Sequence, residues 1–119
     1  MRVLIVEDES IIALELERIV ADAGYRPIGP VSTVEQALAQ APRAHVALVD
    51  LGLADGSSGA SLARRLIDRF HMKVVFVTAS PTEVGNGLAG SVAVIAKPFT
   101  DESIRAGLAM AARQADPAH

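Results

Sequence analysis

The chain contains no cysteine and no tryptophan, and its aromatic residues are one tyrosine and three phenylalanines. Without thiols it cannot form a disulfide, a thiolate zinc site or a cysteine nucleophile. A surplus of basic residues is also missing, because the formal net charge is −3. With no basic surplus and few rings that could stack on bases, the chain is not expected to bind nucleic acid.

Long apolar runs are absent as well. The first run, residues 3–6, is far too short for a membrane span or a signal sequence, so no membrane partner is expected and a cytoplasmic location is favoured. The 119 residues are 50% hydrophobic and 21% charged, which is typical of one globular domain with a genuine core. No linker or internal repeat interrupts them. We therefore expect a single domain over residues 1–119.

Short apolar runs alternate along the chain with segments of helical periodicity. The runs have the length and composition of buried strands, and the segments between them carry apolar residues every three or four positions. Such a chain forms a parallel sheet covered on both faces, because each right-handed crossover packs a helix back onto the sheet. The prediction is an α/β fold, a flavodoxin-like doubly wound sheet of strand order 2-1-3-4-5 with five helices. The five predicted strands cover residues 3–6, 26–31, 46–49, 74–77 and 92–96.

Local signals place the sheet edge and the helix boundaries. Pro27 and Pro30 lack the N–H groups that a central strand donates, so the second strand is predicted at an edge of the sheet. Thr33 and Gln36 form a capping-box pattern at the start of the second helix. Residues 81–90 lie where the fourth helix should form but contain three glycines, so that helix is expected to be short or mobile.

Acidic side chains follow two of the predicted strands, at the point where each strand ends. Glu7 and Asp8 come after the first strand and Asp50 after the third, and the predicted order makes these strands neighbours. Three carboxylates brought together repel one another unless a cation neutralises them. An all-oxygen set of ligands suits Mg²⁺. The sequence thus predicts a Mg²⁺ site at Glu7, Asp8 and Asp50, with the backbone carbonyl of Gly52 as a further ligand.

A hydroxyl and a cation follow the remaining two strands. Thr78 closes the fourth strand and Lys97 the fifth. On the far side of Asp50 from the metal they would face an anion, and a phosphoryl group fits best. Phosphoryl transfer depends on positioning and charge neutralisation, and a carboxylate can be its nucleophile. Asp50 is central in this row of strand ends, so it is the predicted phosphoacceptor, with Thr78 and Lys97 as catalytic partners.

Taken together, these strand ends resemble the receiver domain of two-component response regulators. The resemblance implies that Glu7 and Asp8 hold Mg²⁺, that Asp50 accepts the phosphoryl group, that Thr78 is a switch hydroxyl and that Lys97 binds the phosphate. The motifs that carry it, at the intervals usual in the family, are Val6-Glu7-Asp8-Glu9, Val49-Asp50-Leu51, Val77-Thr78-Ala79 and Lys97-Pro98-Phe99.

Two further features refine the resemblance. The string Ala54-Asp55-Gly56-Ser57-Ser58-Gly59 is similar to receivers of the alphaproteobacterial general-stress regulators, which carry an additional N-terminal output domain. Pro98 takes the place of a frequent cis-proline of the family. Three residues before the lysine the family commonly has Tyr or Phe, whose ring follows the threonine on phosphorylation, whereas this chain has Val94. The signal is therefore expected to run through residues 81–90 instead.

The predicted function is that of a stand-alone receiver and not of a turnover enzyme. A histidine kinase or histidine phosphotransfer protein would donate the phosphoryl group, and a downstream partner protein would respond to the conformational change. A homodimer through the last helix is left open. One alternative is a pseudo-receiver, an interaction module whose acids are inactive. The other is a small-molecule phosphatase with an aspartate nucleophile, although such enzymes place a second acid where this chain has Gly52.

Overall fold

A computed structural model of the chain describes residues 1–53, 58–81 and 90–115. Within these residues, helices cover both faces of a five-stranded sheet. The strands are β1 (Arg2–Val6), β2 (Arg26–Val31), β3 (Val46–Val49), β4 (Lys73–Thr78) and β5 (Ser91–Ala96). The helices are α1 (Ser10–Asp22), α2 (Val34–Gln40), α3 (Gly59–Phe70) and α4 (Asp101–Ala115), and a 3₁₀ turn (Ala41–Arg43) follows α2.

The strand order is β2-β1-β3-β4-β5, and every pairing is parallel. This confirms the predicted sheet. The described residues contain four α-helices where the sequence predicted five. The remaining helix was expected at residues 81–90, most of which lie outside the described part of the chain, so that expectation stays a prediction. No helix in the described ranges is long and apolar enough to cross a bilayer.

Both faces of the sheet are buried, because the strands are apolar at successive positions. Leu4 of β1 and Phe76 of β4 point to the face covered by α2 and α3. Val3 and Val75 point to the opposite face, covered by α1 and α4. Successive side chains of a strand alternate between faces, so a strand that is covered twice must be apolar throughout. This arrangement leaves the two ends of the strands as the polar edges of the molecule.

The prolines of β2 and the cap of α2 lie where the sequence predicted them. Pro27 and Pro30 lie on β2, which is an edge strand as predicted. The Thr33 hydroxyl accepts a hydrogen bond from the Gln36 N–H at 3.1 Å and caps α2. The Gln36 side chain accepts from the Ser32 N–H at 2.9 Å, one residue before the amide that the capping box predicts. The edge position of β2 and the start of α2 thus follow from local chemistry. The hydrogen bond to the Gln36 side chain comes from the Ser32 N–H and not from the Thr33 N–H.

Candidate functional site

The carboxyl ends of β1 and β3 place three acidic side chains together. The two strands are neighbours, and the Asp50 N–H donates to the Val6 carbonyl at 3.0 Å. Glu7 and Asp8, which follow β1, therefore lie next to Asp50, which follows β3. One carboxylate oxygen from each of the three residues lies within 4.8 Å of the other two. The structure brings together the acids that the sequence assigned to one site.

Lys97 enters the same cluster from the end of β5. Its backbone N–H donates to the Thr78 carbonyl at 2.8 Å, which continues the pairing of β4 and β5. The ammonium Nζ lies 2.8 Å from Glu7 Oε1 and 3.5 Å from Asp50 Oδ2. The sequence placed Lys97 with Thr78 on the far side of Asp50 from the metal ligands. In the structure the ammonium contacts Asp50 and Glu7 together, and Glu7 is the nearer partner.

Burial governs the protonation of the Glu7–Lys97 pair. The Glu7 side chain is 1% exposed and the Lys97 side chain 10%. Burial raises the pKa of Glu7 above its ordinary value, although the hydrogen bonds from Lys97 and from the Glu9 amide act in the opposite direction. Burial by itself would lower the pKa of Lys97, but the hydrogen bond to Glu7 and the charges of Glu7 and Asp50 raise it. The ion pair keeps a buried carboxylate and a buried ammonium compatible with the fold.

The three acids differ in how many of their carboxylate oxygens are available to bind a divalent cation. Asp8 is exposed, and Asp50 keeps 12% of its side chain in solvent. Glu7 engages both oxygens, since Oε1 contacts Lys97 and Oε2 accepts from the Glu9 N–H at 3.2 Å. Mg²⁺ is usually held by one or two carboxylates and keeps several waters. The cluster can therefore hold such an ion, with Asp8 and Asp50 as the better-placed direct ligands.

Thr78 and Gly52 are the remaining residues that the sequence assigned to the site. The Thr78 side chain is buried at the end of β4, and its hydroxyl accepts a hydrogen bond from the Ser80 N–H at 3.0 Å. Gly52 is exposed, forms an isolated bridge with Ser58, and has open space where a side chain would lie. Their roles as a hydroxyl beside a bound anion and as a carbonyl ligand of the metal stay predictions.

Gly59 is a site residue that the sequence reasoning missed. It is the first residue of α3, and its N–H donates to the Leu51 carbonyl at 2.7 Å. A Cβ at this position would lie 2.0 Å from the Asp50 carbonyl oxygen and 2.8 Å from Leu51 Cα. The helix start therefore rests directly on the backbone that carries Asp50. The available signal was a glycine at the start of a helix, where glycine is much less enriched than just after a helix end.

Replacing Gly59 by alanine is expected to lower the free energy of unfolding by about 2 kcal/mol, a typical cost of forcing a methyl group into packed structure. Helix propensity alone would favour alanine by up to about 1 kcal/mol, so the sign of the effect reports the contact with Asp50. Urea unfolding measures it. Gly52→Ala is the matched control, because a methyl group there meets no atom within 4 Å. A Gly59→Ala variant as stable as the native chain would contradict the close approach.

An apolar groove adjoins the site beside α1. Ile11 and Leu14 are exposed to 83% and 61%, and they lie one turn apart on the helix. Large apolar side chains exposed next to a polar site are typical of a surface for a partner protein. The groove has a volume of about 270 Å³ and is lined by Ile11, Ile12, Glu15, Lys97, Pro98 and Phe99. Lys97 thus belongs both to the acidic cluster and to the groove.

Val94 occupies the position where an aromatic switch residue was expected from the resemblance. It lies on β5 opposite Phe76 of β4 and packs, partly buried, on the α2 and α3 side of the sheet. An isopropyl group has no ring that could swing between an inward and an outward position. The alternative route through residues 81–90 lies mostly outside the described residues, so it stays a prediction. The peptide bond before Pro98 is cis, as the resemblance implied.

Most of the chain is similar to known regulatory proteins. A profile of the family described as the response regulator receiver domain matches residues 3–109. Among curated proteins, the chain is similar to the phyllosphere-induced regulator PhyR of Methylorubrum extorquens, with 36% identity over 113 residues. This match covers 92% of the chain but 42% of the regulator. The chain therefore spans less than half the length of the curated relative it matches.

Solved structures resemble the chain over nearly its whole length. The REC domain of Erythrobacter litoralis PhyR is similar at a TM-score of 0.85 and 31% identity, over 94% of this chain and 89% of that domain. The anti-anti-sigma factor PhyR of Bartonella quintana is similar at a TM-score of 0.83 and 28% identity. That second match covers 95% of this chain and 47% of the Bartonella protein.

Proposed function

Because the chain belongs to the response regulator receiver domain family, we propose that Asp50 accepts a phosphoryl group in a Mg²⁺-dependent reaction and that the phosphorylated form signals to a partner protein. The family match confirms the resemblance carried by the sequence motifs, and the match to PhyR confirms the closer similarity to general-stress regulators. Receiver domains are regulatory modules of two-component signalling and not turnover enzymes. In this proposal residues 1–119 act as one such domain.

The observation that carries the proposal is the cluster of Glu7, Asp8, Asp50 and Lys97. One carboxylate oxygen from each of the three acids lies within 4.8 Å of the other two, and Lys97 Nζ lies 3.5 Å from Asp50 Oδ2. An Asp50 oxygen attacks phosphorus, the new P–O bond forms while the bond to the donor breaks, and the electron pair leaves with the donor. Mg²⁺, which Asp8 and Asp50 would hold, would supply positive charge that offsets the negative charge of the phosphoryl group. Lys97 supplies a second positive charge from the chain itself.

Lys97 and Thr78 would respond to the new group on Asp50. In the unphosphorylated chain the Lys97 ammonium is nearer to Glu7 than to Asp50. A phosphoryl group adds negative oxygens beside Asp50, so the ammonium is drawn from Glu7 toward the phosphate. The Thr78 hydroxyl accepts from the Ser80 N–H, and within the described residues its own O–H has no acceptor. Both side chains can thus contact the phosphoryl group without leaving the strand ends that hold them.

The surface beside the site favours a protein as phosphodonor, in our proposal a histidine kinase or histidine phosphotransfer protein. The donor must carry its phosphohistidine to Asp50, and the exposed Ile11, one helical turn from the exposed Leu14, lines the groove that Lys97 shares. A small-molecule substrate would leave these apolar side chains without a function. The Bartonella quintana relative is an anti-anti-sigma factor. The downstream target that we propose for this chain is accordingly a protein of sigma-factor control.

Incubation with Mg²⁺ and acetyl phosphate tests the proposal. Intact mass spectrometry of the native chain is expected to show one added phosphoryl group. EDTA is expected to abolish the addition, because a phosphate anion approaches three carboxylates only when a cation offsets their charge. No added group in the presence of Mg²⁺ would favour the pseudo-receiver. Steady release of phosphate over many turnovers would favour the small-molecule phosphatase.

A further inference from the structure

The amino ends of four neighbouring strands each carry a basic side chain. Arg26, Arg2 and Lys73 are the first residues of β2, β1 and β4, and His45 directly precedes β3. The strand order makes their strands neighbours, and Arg2 and Arg26 are register partners. Lys73 pairs with Val46, one residue beyond His45, so its side chain leaves the sheet edge on the opposite face from those of Arg2 and Arg26. The His45 N–H donates to the Arg2 carbonyl at 2.9 Å, and the Lys73 N–H donates to the His45 carbonyl at 3.2 Å. We call Arg26, Arg2, His45 and Lys73 the basic row.

The basic row lies at the opposite edge of the sheet from Asp50. Three of its members are exposed and Lys73 is partly exposed. Arg2 is held in place, since its Nε donates to the Arg43 carbonyl and its backbone N–H donates to His45 Nδ1. Burial, together with the positive charge of Arg2, lowers the pKa of His45. The imidazole is therefore neutral near pH 7 with its proton on Nε2, and the row presents three charged groups and one neutral donor.

Among the described residues, neither helix dipoles nor ion pairs with acids account for the basic row. A basic residue in the last turn of a helix offsets the negative end of the dipole, as Arg69 does in α3, but the row lies on strands or directly before one. The acids in the last turns of α1 and α3 already have partners. Asp22 pairs with Arg18 at 3.1 Å, and Asp68 pairs with Arg64 at 2.9 Å. The row is thus a positive surface that these acids leave unneutralised, in a chain whose net charge is −3.

We propose that the basic row is the docking surface for an acidic segment of a partner protein. Neighbouring strands lie about 4.8 Å apart, so the row spans roughly 14 Å, the length of about four extended residues. Arginine binds carboxylates in a bidentate manner, and the neutral His45 adds a donor. A nucleic acid fits less well, because three charges neutralise few phosphates and the net negative chain repels a long polyanion. The proposal does not depend on phosphorylation of Asp50.

Decaglutamate is the probe that tests this proposal, because it offers carboxylates and no other side-chain chemistry. In the native chain it is expected to shift the amide NMR signals of the basic row, and calorimetric titration gives its affinity. The Arg2→Gln/Arg26→Gln/Lys73→Gln variant is expected to bind about tenfold more weakly, since each exposed ion pair contributes modestly. The Arg65→Gln/Arg105→Gln variant removes two exposed charges that form no ion pair within the described residues, and it is expected to bind as the native chain does.

The outcomes separate the basic row from general charge attraction. Equal weakening in Arg26→Gln/Lys73→Gln and in Arg65→Gln/Arg105→Gln would overturn the proposal, as would the absence of any binding by the native chain. Tighter binding of a DNA oligonucleotide or of phosphatidylserine vesicles at the row would overturn an acidic protein segment as the occupant. If the triple variant does not fold, Arg26→Gln/Lys73→Gln keeps the Arg2–Arg43 bond, and a smaller weakening in the same direction is then expected. Native-like affinity in this double variant would also overturn the proposal.

Discussion

The Asp50→Asn variant is expected to gain no phosphoryl group from acetyl phosphate and Mg²⁺ under conditions in which the native chain gains one. An asparagine amide is a far weaker nucleophile than a carboxylate and cannot form an acyl phosphate. The loss is expected to be complete, because Glu7 is 1% exposed and already paired with Lys97 and so cannot substitute as the acceptor. Intact mass spectrometry, read over a series of donor concentrations, measures the loss.

Asp8→Asn is the matched control for this loss. It removes the same charge from the same cluster and leaves the proposed nucleophile in place. This variant is expected to accept the phosphoryl group, but only at higher Mg²⁺ concentration, because the ion loses an exposed carboxylate ligand. A Mg²⁺ titration of all three proteins separates the two roles. A full adduct on Asp50→Asn would contradict the assignment of the acceptor.

Lys97→Met is expected to lower the free energy of unfolding by about 3 kcal/mol, because removing one partner leaves Glu7 as a buried charge without a counterion. Methionine keeps the apolar stem of lysine, so the change reports the charge more than the packing. The Glu7 side chain is 1% exposed, and water therefore cannot replace the ammonium. Urea unfolding at neutral pH in the presence of EDTA measures the effect.

The destabilisation by Lys97→Met is expected to shrink as the pH falls from neutral toward 4.5, the ordinary pKa of a glutamate. Burial already holds the pKa of Glu7 above that value, and loss of Lys97 raises it further. A carboxyl group whose pKa is raised on folding contributes stability below its unfolded pKa, and this contribution is lost as the pH rises through the folded pKa. Relative to the native chain at each pH, the variant should therefore regain stability on acidification.

Two further variants identify the ion pair as the cause. Glu7→Gln/Lys97→Met removes both charges and is expected to recover most of the lost stability, because a neutral amide needs no counterion. Lys97→Arg keeps the positive charge and is expected to stay close to the native chain. A loss that is the same at every pH, or the same in Lys97→Met and in the double variant, would show that packing and not the Glu7 charge is responsible.

The sheet and the location of the acids were predictable from the sequence alone. The run at residues 46–49 is apolar at every position, as a strand buried on both faces requires. Right-handed crossovers then leave few strand orders. A residue that directly follows a parallel strand lies at the carboxyl edge of the sheet, whatever the details of packing. Glu7, Asp8 and Asp50 could therefore be assigned to one site before any distance was known.

Other features were decided only by the tertiary structure. The pairing of Lys97 with Glu7 depends on how far β5 reaches past its neighbours, and no local pattern encodes that distance. The contact of Gly59 with the Asp50 carbonyl depends on where α3 begins relative to β3. From the net charge of −3 no basic surface was predicted, yet the structure places the basic row at the amino ends of four strands. Net charge is a sum over the chain, whereas folding separates charges between the two edges of the sheet, because its faces must be apolar.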